Sequence, residues 1–414
     1  MPFRGHFNSP QTLASHESRG SRGPAGPGLG GLGREPSAPT RGESLLTEQG
    51  ATKWADVDPS AIAHNTALVK QLVGAKTAVM AVVKANGYGH GAVPAARAAV
   101  EGGASWLAVS SIPEGLELRK AGIREPILNL GYTPPNALSA AVAAKLALTL
   151  YDRPGLALLK TAATEIPVHV KVDSGMHRLG AAPEEAIRLA TEVHADPHLR
   201  LEGFWTHFAD ADRDLVFTAQ QLRVFLDARA ALIRAGVTGF ITHAANSPAT
   251  LRLPEARLDL VRVGLILYGV RPARDWHDLP TLRPALTWQT IVTNVVSIPA
   301  GQSVGYGRRF TAEQPARVAT IAAGYADGLH WQSAERGCVI VRGTRVPFAG
   351  SISMDQAALD VAAVPNIQVG DVVTLIGRDG DAVLTADDLA EAAGTISYEV
   401  LCAISNRVPR RYNI

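Results

Sequence analysis

Residues 77–110 read TAVMAVVKANGYGHGAVPAARAAVEGGASWLAVS. TAVMAVVK (77–84) is short and apolar on both faces, which predicts a strand buried in a parallel sheet. Residues 91–101 are alanine-rich and predict a helix, and WLAVS (106–110) predicts the next strand. The unit then repeats. A helix runs through EGLELRKAG (114–122), and PILNL (126–130), LALTLY (146–151), VHVKVD (168–173), LRLEGFWTHF (199–208), FITHAA (240–245) and LDLVRVG (258–264) continue the strand series, with a long amphipathic helix over 214–235. About eight strand–helix units in roughly 230 residues fit a (β/α)8 TIM-type barrel. A doubly wound open sheet has the same alternation and stays open as the alternative.

After residue 284 the texture changes. ALTWQTIVTNVVSI (285–298), ARVATIAAG (316–324), CVIVRG (338–343), RVPFAG (345–350) and VVTLIG (372–377) are β-rich runs between Gly, Pro and Asp turns. Only 385–393 looks helical. The chain is therefore expected to comprise a disordered tail (1–50), a barrel (51–283) and a mostly β C-terminal domain (284–414). The tail contains GSRGPAGPGLGGLG (20–33), which holds too little apolar surface to offset its ordering entropy and has no h-region of a secretory signal.

Of the 414 residues 46% are hydrophobic and 19% charged, with a formal net charge of +2. That balance gives no reason to expect nucleic acid or an anionic membrane as partner. Cys338 and Cys402 stand far apart, in no metal-ligand or disulfide pattern, so no metal is expected and a reducing cytoplasm is the expected compartment. No apolar run is long enough to span a bilayer.

Barrels do their chemistry where strands end. Lys84 follows TAVMAVV, residues 173–178 follow VHVKV, His207 follows LEGFWT, Asn246 and Ser247 follow ITHAA, and Arg262 follows LDLV. Polar groups from five strands on one rim point to an enzyme or cofactor site. A lysine at the end of a buried strand is costly unless paired or neutral; a lowered pKa suits imine formation with a carbonyl cofactor. For a lone lysine, snorkelling to the rim would be the better reading; here the flanking pattern shifts the balance.

The string AVVKANGYGHG (81–91), followed in order by KVDSGMHRLG (171–180), THFA (206–209), HAANS (243–247), VRVGLILYG (261–269), VGYG (304–307), GYADG (324–328), SMDQ (353–356) and ISYEV (396–400), resembles the alanine racemases, a fold-type III pyridoxal-phosphate family. The resemblance covers nearly all of 54–414. It implies that Lys84 carries pyridoxal 5'-phosphate and acts as base on one face, with Tyr306 as base on the other. His207 would assist Tyr306, whose phenol has an unperturbed pKa near ~10. Arg262, braced by His243, would face the pyridine nitrogen. Because arginine cannot accept a proton, the ring would be a weaker electron sink, which disfavours side reactions. Tyr88, Asn246, Ser247, Gly264, Leu265 and Tyr398 would hold the phosphate. Arg178, Tyr325, Met354 and Asp355 would bind the substrate, and Lys171 occupies the position that is often carbamylated.

Two bases suit a reaction whose substrate and product are mirror images. One removes the α-proton, and the other returns a proton from behind. The resemblance further implies a homodimer in which each site is completed by the partner's β domain, and a role in supplying D-alanine for peptidoglycan. Three other readings are weighed against it. A decarboxylase of the same cofactor class calls for an acid at the ring nitrogen and a catalytic cysteine. A pyridoxal-phosphate carrier would lack the β domain. A broad-specificity racemase tends to be exported.

Overall fold

Eight short strands are apolar enough to be buried on both faces, and that decides the architecture. The structure, a computed structural model, describes residues 50–276 and 280–412. The tail expected over 1–50 lies, but for Gly50, outside the described residues. In chain order the first strands are β1 (Lys53–Val57), β2 (Ala78–Val82), β3 (Trp106–Val109), β4 (Ile127–Asn129), β5 (Ala147–Leu150), β6 (Ile166–Lys171), β7 (Leu199–Trp205), β8 (Ile241–His243), β9 (Leu260–Val263) and β10 (Leu286–Ile298). Strands β2 to β9 form one parallel sheet in the order β8-β7-β6-β5-β4-β3-β2-β9. The pairing of β2 with β9 rolls the sheet up. At the remaining seam, between β8 and β9, Asp259 N–H donates to the Thr242 carbonyl (3.2 Å) and Arg262 N–H to that of Ala245 (2.9 Å). The Asp259 carboxylate accepts from the Thr242 N–H (2.7 Å) and hydroxyl (2.6 Å). The sheet is thus a nearly closed (β/α)8 barrel, and the open-sheet alternative is excluded.

The helices follow their sequence signals. Asp58 caps helix Pro59–Val73 through the N–H groups of Ser60 and Ala61, with Pro59 in the first turn, where a missing N–H costs nothing. Asp214 caps the long helix Leu215–Arg234. Ser111 and Glu114 form a reciprocal capping box on helix Ile112–Lys120.

The second sheet is built on β10, whose residues alternate buried and half-buried from Leu286 to Val292, the period of a strand with one covered face. Strands Ala316–Ile321 and Val372–Asp379 pair with it, and Ala55, Val57, Trp288, Val292, Ile321 and Leu375 share its core. Two features depart from expectation. Strand β1, which falls in the segment expected to be barrel, lies antiparallel to β10 and parallel to the last strand, Arg410–Tyr412. Helix 385–393 is present as Ala386–Ala393, but a second helix, Ser397–Ala403, follows it. It is short, its N-cap residue Ile396 offers no side-chain bond, and burial of Val400 and Leu401 holds it. Helix period and capping gave no signal there. Among the described residues no helix is long and apolar enough to cross a membrane.

Candidate active site

Lys84 stands just beyond the end of β2, where the chain turns the wrong way. Ala85, Asn86, Gly87 and Tyr88 all have φ between 52° and 61°. A run of left-handed L residues costs roughly 1–2 kcal/mol each, so neighbours must impose it. Glu114 does so from the next unit. Its Oε1 accepts the Ala85 N–H (2.8 Å), and its Oε2 takes the N–H groups of Ser110 (2.8 Å) and Ser111 (3.1 Å) and the Ser110 hydroxyl (3.1 Å). The Asn86 side chain accepts the Ala92 N–H, closing the turn onto the next helix. The C-terminal domain clamps the other side. Arg410 donates to the Gly89 carbonyl (2.9 Å), and a Cβ on Gly89 would fall 2.2 Å from the Leu401 carbonyl oxygen.

Lys84 opens onto a cavity of about 490 Å³ at the C-terminal mouth of the barrel. Tyr88, Lys171, Arg178, His207, Asn246, Ser247, Arg262, Gly264, Leu265 and Tyr398 line it too, so the structure gathers ten further residues singled out from sequence. Burial and the nearby Arg178 charge lower the Lys84 pKa, against the opposing effect of Glu114. Lys171 is buried over the Trp205 ring (4.8 Å), and burial, Arg262 and Arg178 bring its pKa down to about 8. The Asp173 carboxylate gathers the N–H groups of Gly175, Met176 and His177 (3.0 Å each), which shapes the turn that presents Arg178.

Arg262 is buried on the cavity floor. It donates to His243 Nδ1 (2.9 Å), to the carbonyls of Thr206 (2.8 Å) and Ala244 (2.9 Å), and to His207 Nδ1 (3.1 Å), and it lies over the Trp205 ring. Burial brings its pKa down to about 9, still charged at neutral pH. His207, in turn, is held well below the usual histidine range by burial and the Arg262 charge. With Nδ1 taken by an arginine donor, neutral His207 carries its proton on Nε2.

At the cavity's other end Ser247 opens helix Ser247–Arg252, but the cap is Asn246, whose side chain accepts the Ala249 N–H. Ser247 Oγ instead accepts the Gly264 N–H (3.0 Å), leaving the hydroxyl's own proton free to donate. A Cβ on Gly264 would fall 2.4 Å from the Tyr88 hydroxyl, so only glycine leaves room there. Tyr88 stacks on Tyr268 (5.0 Å), and burial pushes the Tyr398 phenol up to about 12, so it remains a hydrogen-bond donor.

Four expected site residues are elsewhere. Tyr306, Tyr325, Met354 and Asp355 line no part of this cavity, and the first is 78% exposed. They share one platform of the C-terminal domain. The N–H groups of Tyr325 and Ala326 donate to the carbonyls of Ser353 and Met354, and the Ser351 hydroxyl donates to the Tyr306 carbonyl. Asp355 pairs with Arg407 (2.6 Å). Sequence reasoning passed over Glu114 and Trp205. The first had a signal in the S-x-x-E capping box at 111–114; the second lay inside the quoted LEGFWTHF.

The cavity fits pyridoxal phosphate on this chain's own chemistry. It offers an amine of lowered pKa, a buried guanidinium, and hydroxyl donors around a glycine-made gap, in a volume within the ~300–1,000 Å³ of small-molecule sites. Family models agree in extent with the two halves of the fold: the alanine racemase N-terminal domain matches residues 57–272 and the alanine racemase C-terminal domain matches 285–412. The chain is 42% identical over 366 residues to the alanine racemase of a Nostoc species, covering 86% of this chain and 95% of that one. It is 44% identical over 368 residues to that of Symbiobacterium thermophilum, covering 87% and 96%. The crystal structure of the Bacillus anthracis alanine racemase with bound L-Ala-P superposes with a TM-score of 0.84 at 36% identity, covering 89% of this chain and 96% of that one. With both domains matched in order along the fold just described, the chain belongs to the alanine racemase family.

Proposed function

We propose that this protein interconverts L- and D-alanine, with pyridoxal 5'-phosphate bound in the cavity at the barrel mouth. The observation that carries this reading is a lysine of lowered pKa opening onto the same cavity as a buried arginine held by His243, Thr206 and Ala244. When bound, the cofactor supplies the electron-withdrawing ring that makes an amino acid's α-proton acidic.

The chain's residues do the rest. Lys84 would hold the cofactor and, once displaced by a substrate amine, exchange a proton on one face; its lowered pKa leaves more of the amine neutral and able to accept a proton. Arg262 would meet the ring nitrogen as a donor and deny it a proton, which speaks against the decarboxylase alternative. Ser247 would give its free proton to the phosphate, joined by the Leu265 N–H and the hydroxyls of Tyr88 and Tyr398. Gly264 contributes space, because its own N–H is engaged by Ser247. Arg178 would meet the substrate carboxylate at the rim. Carbamylation of Lys171 would replace a poorly solvated cation beside Arg178 and Arg262 by an anion.

The second base must come from outside this cavity. The exposed platform of Tyr306, Tyr325, Met354 and Asp355 suits insertion into the cavity of a second copy, giving a two-fold dimer with two equivalent sites. There the Tyr306 phenol oxygen would accept a hydrogen bond from the His207 Nε2 proton. The chain would pass from barrel to β domain near 283/284. Work in the cytoplasm and supply of D-alanine for peptidoglycan are part of the same proposal.

The test is an absorbance spectrum of the purified protein followed by a D-amino-acid oxidase assay on L-alanine. The expected result is a yellow protein that forms D-alanine. Release of CO2 without D-alanine would move the assignment to a decarboxylase.

A further inference from the structure

Behind Arg262 the barrel interior contains a line of polar side chains that the reaction does not use. Arginine only donates hydrogen bonds. The Arg262 Nη1 contact therefore leaves His243 Nδ1 bare, and neutral His243 must carry its proton on Nε2. That nitrogen lies 2.9 Å from His169 Nδ1, which must accept. His169 then carries its own proton on Nε2, 3.3 Å from Glu202 Oε2, and a carboxylate only accepts. Both rings are wholly buried, and burial holds each below the usual histidine range. Glu202 stays ionised because its bonds to His169 and Arg200 outweigh the effect of its burial. Every proton in the line Arg262–His243–His169–Glu202 is thereby assigned, and the line has one direction.

The sequence builds this line deliberately. The β6–β7 register steps from Val168 opposite Leu201 to His169 opposite Gly203, so Glu202 is the extra residue of a bulge, a device that re-aims a side chain. A Cβ on Gly203 would fall 2.1 Å from His169 Nδ1, so the histidine occupies space that only glycine leaves. Trp205 stacks on His243 (5.4 Å, 13°), and Trp106 meets His169 edge-on (5.4 Å, 69°). Glu202 is fixed by Arg200 (2.7 Å) and borders a separate cavity where β4 to β7 begin, at the opposite end of the barrel.

We infer that His169 and Glu202 are positioning residues: they keep His243 Nδ1 open to Arg262 and so hold the guanidinium at the cavity floor from the far end of the barrel. This rests on Arg262 being the cofactor's neighbour. A donor in place of Glu202 would reverse the line, leaving a His243 N–H facing an Arg262 N–H.

The experiment uses full-length protein labelled with ¹⁵N-histidine, without added cofactor, and reads the tautomers of His169 and His243 by NMR. The expected result is Nε2–H on both rings in the wild type and in Glu202→Asp, and Nδ1–H on both in Glu202→Lys. With cofactor, Glu202→Lys should lower kcat about tenfold with KM changed less than about threefold, and Glu202→Asp should restore most of it. A wild-type His243 carrying its proton on Nδ1 overturns the inference, even if Glu202→Lys does not fold. So does a Glu202→Lys protein whose tautomers, or whose kcat, stay as in the wild type. A wild-type protein that takes up no pyridoxal phosphate would instead refute the proposed function and leave the tautomers untouched.

Discussion

Glu114→Gln tests whether the left-handed turn after Lys84 is imposed from the neighbouring unit. The carboxylate serves four donors: Ala85 N–H on one oxygen, and the Ser110 N–H, Ser110 hydroxyl and Ser111 N–H on the other. Glutamine fills the same space with one oxygen and one amide, so an N–H must face an N–H at one end. Two backbone donors outbid one, so the carbonyl should stay with Ser110 and Ser111 and the amide should meet Ala85. An unmet donor costs about 1–3 kcal/mol, and the turn it no longer restrains carries roughly 1–2 kcal/mol of strain per L residue. We expect urea unfolding to show a loss of about 1–3 kcal/mol. Cofactor retention should weaken about 5- to 140-fold, since each 1.4 kcal/mol is about tenfold. A Glu114→Gln protein with the wild-type urea midpoint and retention would refute the claim that Glu114 imposes this turn.

Gly264→Ala sets a methyl against the Tyr88 hydroxyl; we expect about 1–3 kcal/mol of overpacking strain in a melt, with cofactor binding hit harder than folding. Lys84→Ala and Tyr306→Phe should each be inactive alone. If sites are shared, mixing and refolding the two should return about a quarter of wild-type activity, because half the dimers are mixed and each has one intact site; no recovery would argue for sites complete within one subunit. Lys171 gives a pH prediction. Its folded pKa of about 8 lies below the ordinary lysine value of 10.5, so the unfolded chain binds more protons between those values and stability should rise with pH through that window. Lys171→Met should flatten the rise in urea titrations, and bicarbonate near pH 8 should raise the melting temperature of the wild type but not of the variant.

The alternation of strand and helix was legible because the strands are short and apolar on both faces, and sequence alone could set them apart from helices. Roll-up was not legible, since it depends on β2 meeting β9 and on Asp259 stitching the β8–β9 seam, contacts made between remote residues. The cavity residues were legible because barrel chemistry collects at strand ends and because the motif strings fix which end. Glu114 escaped because a capping carboxylate looks the same whether or not it also restrains a distant turn. His169 and Glu202 escaped because a bulge is a register event and leaves no mark in apolar periodicity. Helix Ser397–Ala403 escaped because burial, rather than capping or period, holds it.

Strand β1 leaves the ribosome before any barrel strand, yet its partners, β10 and Arg410–Tyr412, are made only after all of them. While the barrel is being translated it has no neighbours to bond, and its pairing with β10 must close a loop spanning the whole barrel, a cost that grows only slowly with loop length. The first and last strands among the described residues are thus tied side by side, and the second domain can complete its sheet only once Arg410–Tyr412 is available. A chain cut short at the C-terminus, or a barrel excised from residue 51, carries an unpaired strand edge of the kind that invites aggregation.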